Sequence, residues 1–233
     1  MAIGIQRKIA GRDSSMAHRA RSAFLVAFAL TAGACSTASL LDSELPVPTH
    51  YVLAPLPPAA SATQSAASQV DIAVGRPDVA PGLDTSRIAV LRGRELDYYR
   101  GVQWGGNTLE LVQSLLVQSL QDQQLFRSVT SEQARVAGAY MLDSDVRDFQ
   151  AEYTDGSSAP TVRVTIVARI VRIADRALVA TIPATATRVA AGNNMTAVAA
   201  AFEAASHQVV QQLAPEAAAV VAADRERANS PAA

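Results

Sequence analysis

One thiol, two imidazoles and a scatter of carboxylates set the chemistry open to the mature part of this chain. The thiol is Cys35, and a single cysteine excludes an intrachain disulfide and any two-thiol redox or zinc motif by counting. Lys8 is the only lysine, so no Gly-x-x-x-x-Gly-Lys-[Ser/Thr] loop exists to cradle nucleotide phosphates. His50 and His207 have no Cys, Asp or Glu at a zinc-ligand spacing. Ser36, Ser86 and Ser114 lack the Gly-x-Ser-x-Gly elbow of a hydrolase nucleophile. Asp143-Ser-Asp145 with Asp148 offers carboxylates, two of them on one strand face. No Asp-x-Asp-x-Asp-Gly loop supports calcium, so the reading is a solvated acidic face. No catalytic residue, metal or cofactor is expected.

The unusual constellation is Pro81-Gly-Leu-Asp-Thr85 with Tyr98-Tyr99 and Trp104. In one reading Pro-Gly is a turn, Asp84 or Thr85 bonds local backbone, and the aromatics fill the core. In the other, Tyr98, Tyr99 and Trp104 form an exposed amphipathic patch for a partner, and the Gly101–Gly106 loop turns the indole outward. The sequence leaves both open.

The position of Cys35 gives its thiol a specific chemistry. Met16-Ala-His-Arg-Ala-Arg21 is a basic segment, Ala23 to Ala32 is an uncharged apolar run, and Gly33-Ala34-Cys35-Ser36 follows. This is the layout of a secretory signal over residues 1–34, with Met16 an alternative start. As a helix the run rises about 15 Å, too short for a hydrocarbon core of about 30 Å. Small residues before a cysteine resemble the lipobox of bacterial lipoproteins, with Ala32 where Leu is commonest. That resemblance implies diacylglycerol on the Cys35 sulfur, cleavage before it, and acylation of the new amino terminus, palmitate among the chains. Ser36, in place of Asp, implies the periplasmic face of the outer membrane. Two or more acyl chains hold stably in a bilayer, at about 0.8 kcal/mol per buried CH₂.

Composition narrows the rest. Five bases and one acid precede Cys35, leaving 15 arginines against 20 acids after it, or about −5. Such a surface lacks the basic footprint that nucleic-acid phosphates require. Aromatic residues are 5% of the chain, so the core must come from Val, Leu and Ile.

The elements follow from periodicity. Residues 35–48 read as a lipidated tether, 49–222 as the folded domain, and 223–233 as a disordered tail. Thr49–Leu53, Val70–Val74, Ile88–Leu91 and Glu95–Tyr99 are short strands, and the Pro-, Ala- and Ser-rich run 54–69 is a loop. Asn107 or Thr108 caps a helix to about Leu125, with Leu109, Val112, Leu115, Leu116 and Leu120 on one face. Three longer strands follow over 140–153, 162–173 and 178–189. A parity slip near Asp148 predicts a β-bulge, and Pro183 puts the last strand at an edge or at a bulge. Asn193 or Asn194 caps a second helix from about Thr196 to Leu213, with the Ala-rich remainder a possible extension past Pro215. The order predicts an α+β fold: a single twisted sheet of about five to seven strands with two helices packed on one face.

Residues 78–129 carry a family resemblance: Arg76-Pro77, then Ala80-Pro-Gly-Leu-Asp-Thr-Ser-Arg-Ile-Ala-Val90, Leu96-Asp-Tyr-Tyr99, Trp104, the Leu109–Leu120 helix and Leu125-Phe126-Arg-Ser-Val129. With the lipobox and Tyr51-Val-Leu53, this resembles the ABC-type transport auxiliary lipoproteins, relatives of paraquat-inducible protein C. The match weakens after about Gly156. It implies a domain similar to the amino-terminal domain of TolB. It also implies a role beside an MCE (mammalian cell entry) periplasmic protein and its ABC transporter, in systems that move phospholipids or other hydrophobic molecules between membranes. The family offers no catalytic motif. The expected function is a non-enzymatic lipoprotein tethering such an assembly to the outer membrane. The alternatives are a carrier that binds lipid itself and an outer-membrane activator of cell-wall synthesis.

Overall fold

The computed structural model describes residues 47–58, 69–134, 138–154 and 156–230. The signal segment, Cys35 and the tether up to Pro46 lie outside the described residues, as does most of the loop predicted over 54–69.

The chain runs β1 (Thr49–Tyr51), β2 (Asp71–Val74), β3 (Asp78–Val79), β4 (Arg87–Arg92), β5 (Glu95–Trp104), α1 (Thr108–Asp122), β6 (Ser128–Ser131), β7 (Tyr140–Tyr153), β8 (Thr161–Arg172), β9 (Ala177–Val189) and α2 (Met195–Asn229). All nine strands join one mixed sheet, which makes the fold α+β as the element order predicts. The expected five to seven strands omit β3 and β6, of two and four residues.

β7 is the spine. One edge pairs antiparallel with β8, which pairs antiparallel with β9. The other edge takes three short parallel strands in succession: β2 at Tyr140–Leu142, β3 at Asp145–Val146 and β4 at Ala151–Tyr153. The predicted bulge is present, since register shifts between Val146 and Asp148. Pro183 sits on β9, which among the described residues pairs with β8 alone, so a missing N–H breaks no second ladder there.

Alternation assigns the two faces. Leu142, Val146 and Phe149 of β7, Val164, Ile166 and Ile170 of β8, and Ile182 and Ala184 of β9 are buried in one core with both helices. The opposite face carries Asp143, Glu152, Arg163, Thr165, Arg169 and Thr185. There Arg163 donates to both oxygens of Glu152 at 2.8 and 3.1 Å, and the Thr165 and Thr185 hydroxyls lie 3.2 Å apart.

Both helices start on an asparagine. Asn107 Oδ1 accepts from the Glu110 N–H at 2.9 Å, and Asn194 Oδ1 from the Ala197 N–H at 3.0 Å, each satisfying an amide with no intrahelical partner. α1 stops at Asp122, three residues short of the predicted end, and Gln124 takes φ 53°.

α2 corrects the predicted tail. The helix continues through the exposed Pro215 to Asn229, and residues 223–229 belong to it. Val209, Leu213, Ala217 and Val221 keep the buried stripe unbroken across the proline. Beyond them Asp224, 3% exposed, is locked in place: Arg172 donates to its two oxygens at 2.9 Å each and the Tyr140 hydroxyl at 2.8 Å. The guanidinium and the hydroxyl hold the Asp224 carboxyl below its ordinary pKa, against the opposing effect of burial.

Candidate functional site

The residues singled out in the sequence converge on the β4–β5 hairpin, and the structure divides them. Trp104 does not reach outward. It is 1% exposed, its indole edge-on to Phe202 (centroids 5.1 Å, 83°) and 5.7 Å from Phe149. The Trp104 backbone N–H donates to Ser86 O at 2.7 Å, tying the end of β5 to the turn before β4. The partner-patch expectation is corrected at this residue: the indole is a core anchor joining sheet to α2.

Tyr98 and Tyr99 are half-buried and serve different neighbourhoods. The Tyr98 hydroxyl donates to Gly82 O at 2.8 Å, and the Arg87 guanidinium stacks 3.6 Å over its ring. Gly82 has φ 84°, a conformation open to glycine. The Pro81-Gly82 turn therefore packs against the hairpin, and Thr85 O accepts from both the N–H and the hydroxyl of Thr108, at 3.1 Å each. The local-backbone role expected of Asp84 or Thr85 falls to Thr85, whose hydroxyl also accepts from the Arg87 N–H at 3.2 Å.

The Tyr99 hydroxyl donates to Tyr153 at 3.2 Å, and Tyr153 donates to Asn193 Oδ1 at 2.6 Å. Burial raises the Tyr99 phenol far above its ordinary pKa, the contact with Tyr153 adding to it, so it stays protonated. Arg92 lies 5.0 Å from the Tyr153 ring. Beside it Leu91, Gly93, Glu152, Tyr153 and Thr154 line an open cleft of about 340 Å³. Leu96, 38% exposed, completes an end that mixes apolar, phenolic and guanidinium surface. Such a surface suits recognition; it holds no paired acid and base aimed at a common point.

The carboxylate face carries arginines. Asp145 pairs with Arg147 at 3.0 Å and Asp78 with Arg169 at 3.4 Å. Burial raises the Asp143 pKa despite nearby Arg169. Among the described residues no group of three His, Cys, Asp or Glu could hold a metal ion. None of the described helices is long and apolar enough to cross a membrane.

The two described histidines make contacts that no spacing rule announces: His50 joins β1 to β5, and His207 joins α2 to the segment after β1. His50 Nε2 lies 3.3 Å from Gln103 Nε2. His207 Nε2 is 2.9 Å from Ala54 O, a contact in which the ring must donate. Glu203, one turn earlier on α2, accepts the Ala54 N–H at 2.9 Å.

Comparison with known proteins agrees with this architecture. Protein XCC0632 from Xanthomonas campestris, of the DUF330 family, matches with a TM-score of 0.67 and 26% identity, over 76% of this chain and 99% of its own. An uncharacterized protein of known structure matches with a TM-score of 0.57 at 12% identity, over 73% and 99%. No curated protein matches the chain. The sequence profile of the ABC-type transport auxiliary lipoprotein component matches residues 51–214, most of the described domain. The chain belongs to that family of auxiliary lipoproteins of ABC-type transport.

Proposed function

We propose that this chain is a non-enzymatic periplasmic subunit of an MCE-type ABC transport system, held to the outer membrane through acylated Cys35. It would dock on the MCE protein and tie that assembly to the membrane while lipid or another hydrophobic molecule passes. The family match over residues 51–214 carries the reading. It is supported by a lipobox-like sequence that ends just before that region. The thirteen residues 36–48 reach at most about 45 Å, which keeps the domain near its membrane. The β4–β5 hairpin with Tyr98, Tyr99 and Leu96 is the proposed contact surface, because tyrosines and arginines are enriched among the residues that carry binding energy and Leu96 adds exposed apolar area beside them.

A pull-down from detergent-solubilised membranes tests the partner: recovery of an MCE protein supports the reading, and its absence counts against it. Cys35→Ser tests the anchor. The processed variant should leave the membrane fraction, and retention there would remove the tethering role. Tyr98→Ala combined with Leu96→Arg should lower MCE recovery in folded protein; unchanged recovery moves the contact elsewhere.

A further inference from the structure

Charge is unevenly placed on this chain. The β4–β5 hairpin carries four arginines, at 87, 92, 94 and 100, against two acids, Glu95 and Asp97, whereas the rest of the mature part has eleven arginines against eighteen acids. All six hairpin residues are exposed. Elsewhere Arg127, Arg147, Arg163, Arg169 and Arg172 each pair with a carboxylate. Among the described residues none of the four hairpin arginines does, although two acids share the hairpin with them. Arg87 lies over the Tyr98 ring and Arg92 near that of Tyr153, contacts that leave a guanidinium its full charge. The hairpin is a positive end on an acidic domain, and its arginines lack an internal counter-ion.

The direction of β1 gives that end a place. β1 runs parallel to β5, with Thr49 opposite Val102, and β5 begins at Glu95, just after the Arg92-Gly93-Arg94 turn. Parallel neighbours share one direction, so the chain reaches Thr49 from the side on which that turn lies. Two residues before this pair stand Val47, 88% exposed, and Arg100; Leu96 adds a second exposed aliphatic group. We propose that the turn end of the hairpin, with Arg92, Arg94 and Arg100, rests on a bilayer surface containing anionic phospholipid. The guanidiniums pair with headgroup phosphates, which match their forked donors. That this end is the one nearest the bilayer rests on the Cys35 anchor proposed above; the headgroup contact itself does not, so an unanchored chain can test it. Tyr98 lies further along β5 from the turn, and its flank stays open to a protein partner.

Each arginine at an anionic surface is worth about fivefold in binding. Such a contact is too weak to keep an unanchored chain in a washed membrane fraction, and it acts by orienting a domain already held. The test uses the processed Cys35→Ser chain and sedimentation with vesicles of phosphatidylcholine alone, or of equal parts phosphatidylcholine and phosphatidylglycerol. Salt at about 0.1 M sets the Debye length near 10 Å, so the hairpin is felt while distant acids are screened. The chain should bind the phosphatidylglycerol vesicles at least about fivefold better than the neutral ones, and about 1 M salt should abolish the difference. Arg92→Glu with Arg94→Glu should bring binding down to the neutral level, whereas Arg227→Glu, on the exposed end of α2, should change it less than about twofold. The unaltered hairpin decides even where the double variant does not fold: equal binding to both vesicles, or to neither, overturns the proposal. An equal loss in Arg227→Glu overturns it as well, since the field would then be diffuse. If the chain ignores vesicles while the double variant loses its MCE protein in the pull-down, the arginines read an acidic protein and the proposal falls. Failure of the anchor leaves the vesicle result unchanged, so the two readings fail separately.

Discussion

Trp104→Ala puts the core assignment of the indole at risk. The ring is 1% exposed and packed against Phe202 and Phe149, which themselves meet at 5.1 Å. Removing a buried Trp side chain costs about 3–5 kcal/mol, the transfer loss plus the cavity left where neighbours cannot collapse. Aromatic pairing accounts for about 0.5–1.5 kcal/mol of interaction per pair within such a cluster. Against a total stability of about 5–15 kcal/mol, the variant would stand near the threshold of folding. In a domain of this size each kcal/mol lowers Tm by about 2–4 °C, so the melting temperature should fall by about 6–20 °C in differential scanning calorimetry. Trp104 is the only tryptophan, so the unaltered protein supplies a second reading. Its emission should be blue-shifted and resist acrylamide until the domain melts. A Tm change under about 2 °C, or a red-shifted and freely quenched native emission, would show the ring on the surface and refute the packing argument.

Three further outcomes follow from local geometry. Asp71 is held by Arg127 and by the Ser128 hydroxyl, which lower its pKa to about 2. A carboxylate more acidic folded than unfolded adds stability that is full above its unfolded value near 3.8 and fades as pH falls towards 2. Asp71→Asn should therefore lower stability at neutral pH and flatten its dependence between pH 4 and 2 in urea titrations, and an unchanged pH profile would contradict this. Gly82→Ala combines φ 84° with a new Cβ 2.7 Å from Leu96 Cδ2 and should cost about 1–2 kcal/mol. Adding Leu96→Ala should recover the steric part and leave the backbone part, measured by chemical denaturation. Asn194→Ala removes the cap of α2 and should cost about 1 kcal/mol, while Asn194→Gly, which leaves water access to the orphan amides, should cost a few tenths. Equal losses for the two would point to a different role for that side chain.

The features legible in the sequence were those with a local cause. α1 showed its stripe and its Asn107 cap; the slip between Val146 and Phe149 announced the bulge; Pro183 narrowed β9 to an edge or a bulge. Trp104 resisted because β5 departs from simple alternation: Arg87 pairs with Gln103, yet Ala89 pairs with Tyr98, so extra residues intervene and parity no longer says which way the indole points. The end of α2 was hidden by Pro215, whose penalty is local, whereas the packing that carries the helix past it and the Arg172–Asp224 pair are long-range. The hydrogen bonds that tie Ala54 to Glu203 and His207, and Leu56 to Ser119, join residues 149, 153 and 63 positions apart and leave no trace in periodicity. Within the candidate site, the tyrosines could be found by type, but their division between the Gly82 turn and Tyr153 could not.

The spine role of β7 has a consequence for the order of assembly. β7, β8 and β9 are consecutive antiparallel neighbours, so their hairpins close short loops. β2, β3 and β4 pair with β7 residues 61 to 68 positions further along the chain. Local pairings close with less entropy loss and form faster. A chain emerging amino end first thus exposes its first apolar strands before the template for them exists. Amides of β8 should gain protection ahead of those of β2 in pulse-labelled refolding; the reverse order would make the β4–β5 hairpin the nucleus. While that interval lasts, an unfinished molecule is open to capture by chaperones and proteases, and the length of the wait is set by how quickly the carboxy-terminal half is delivered.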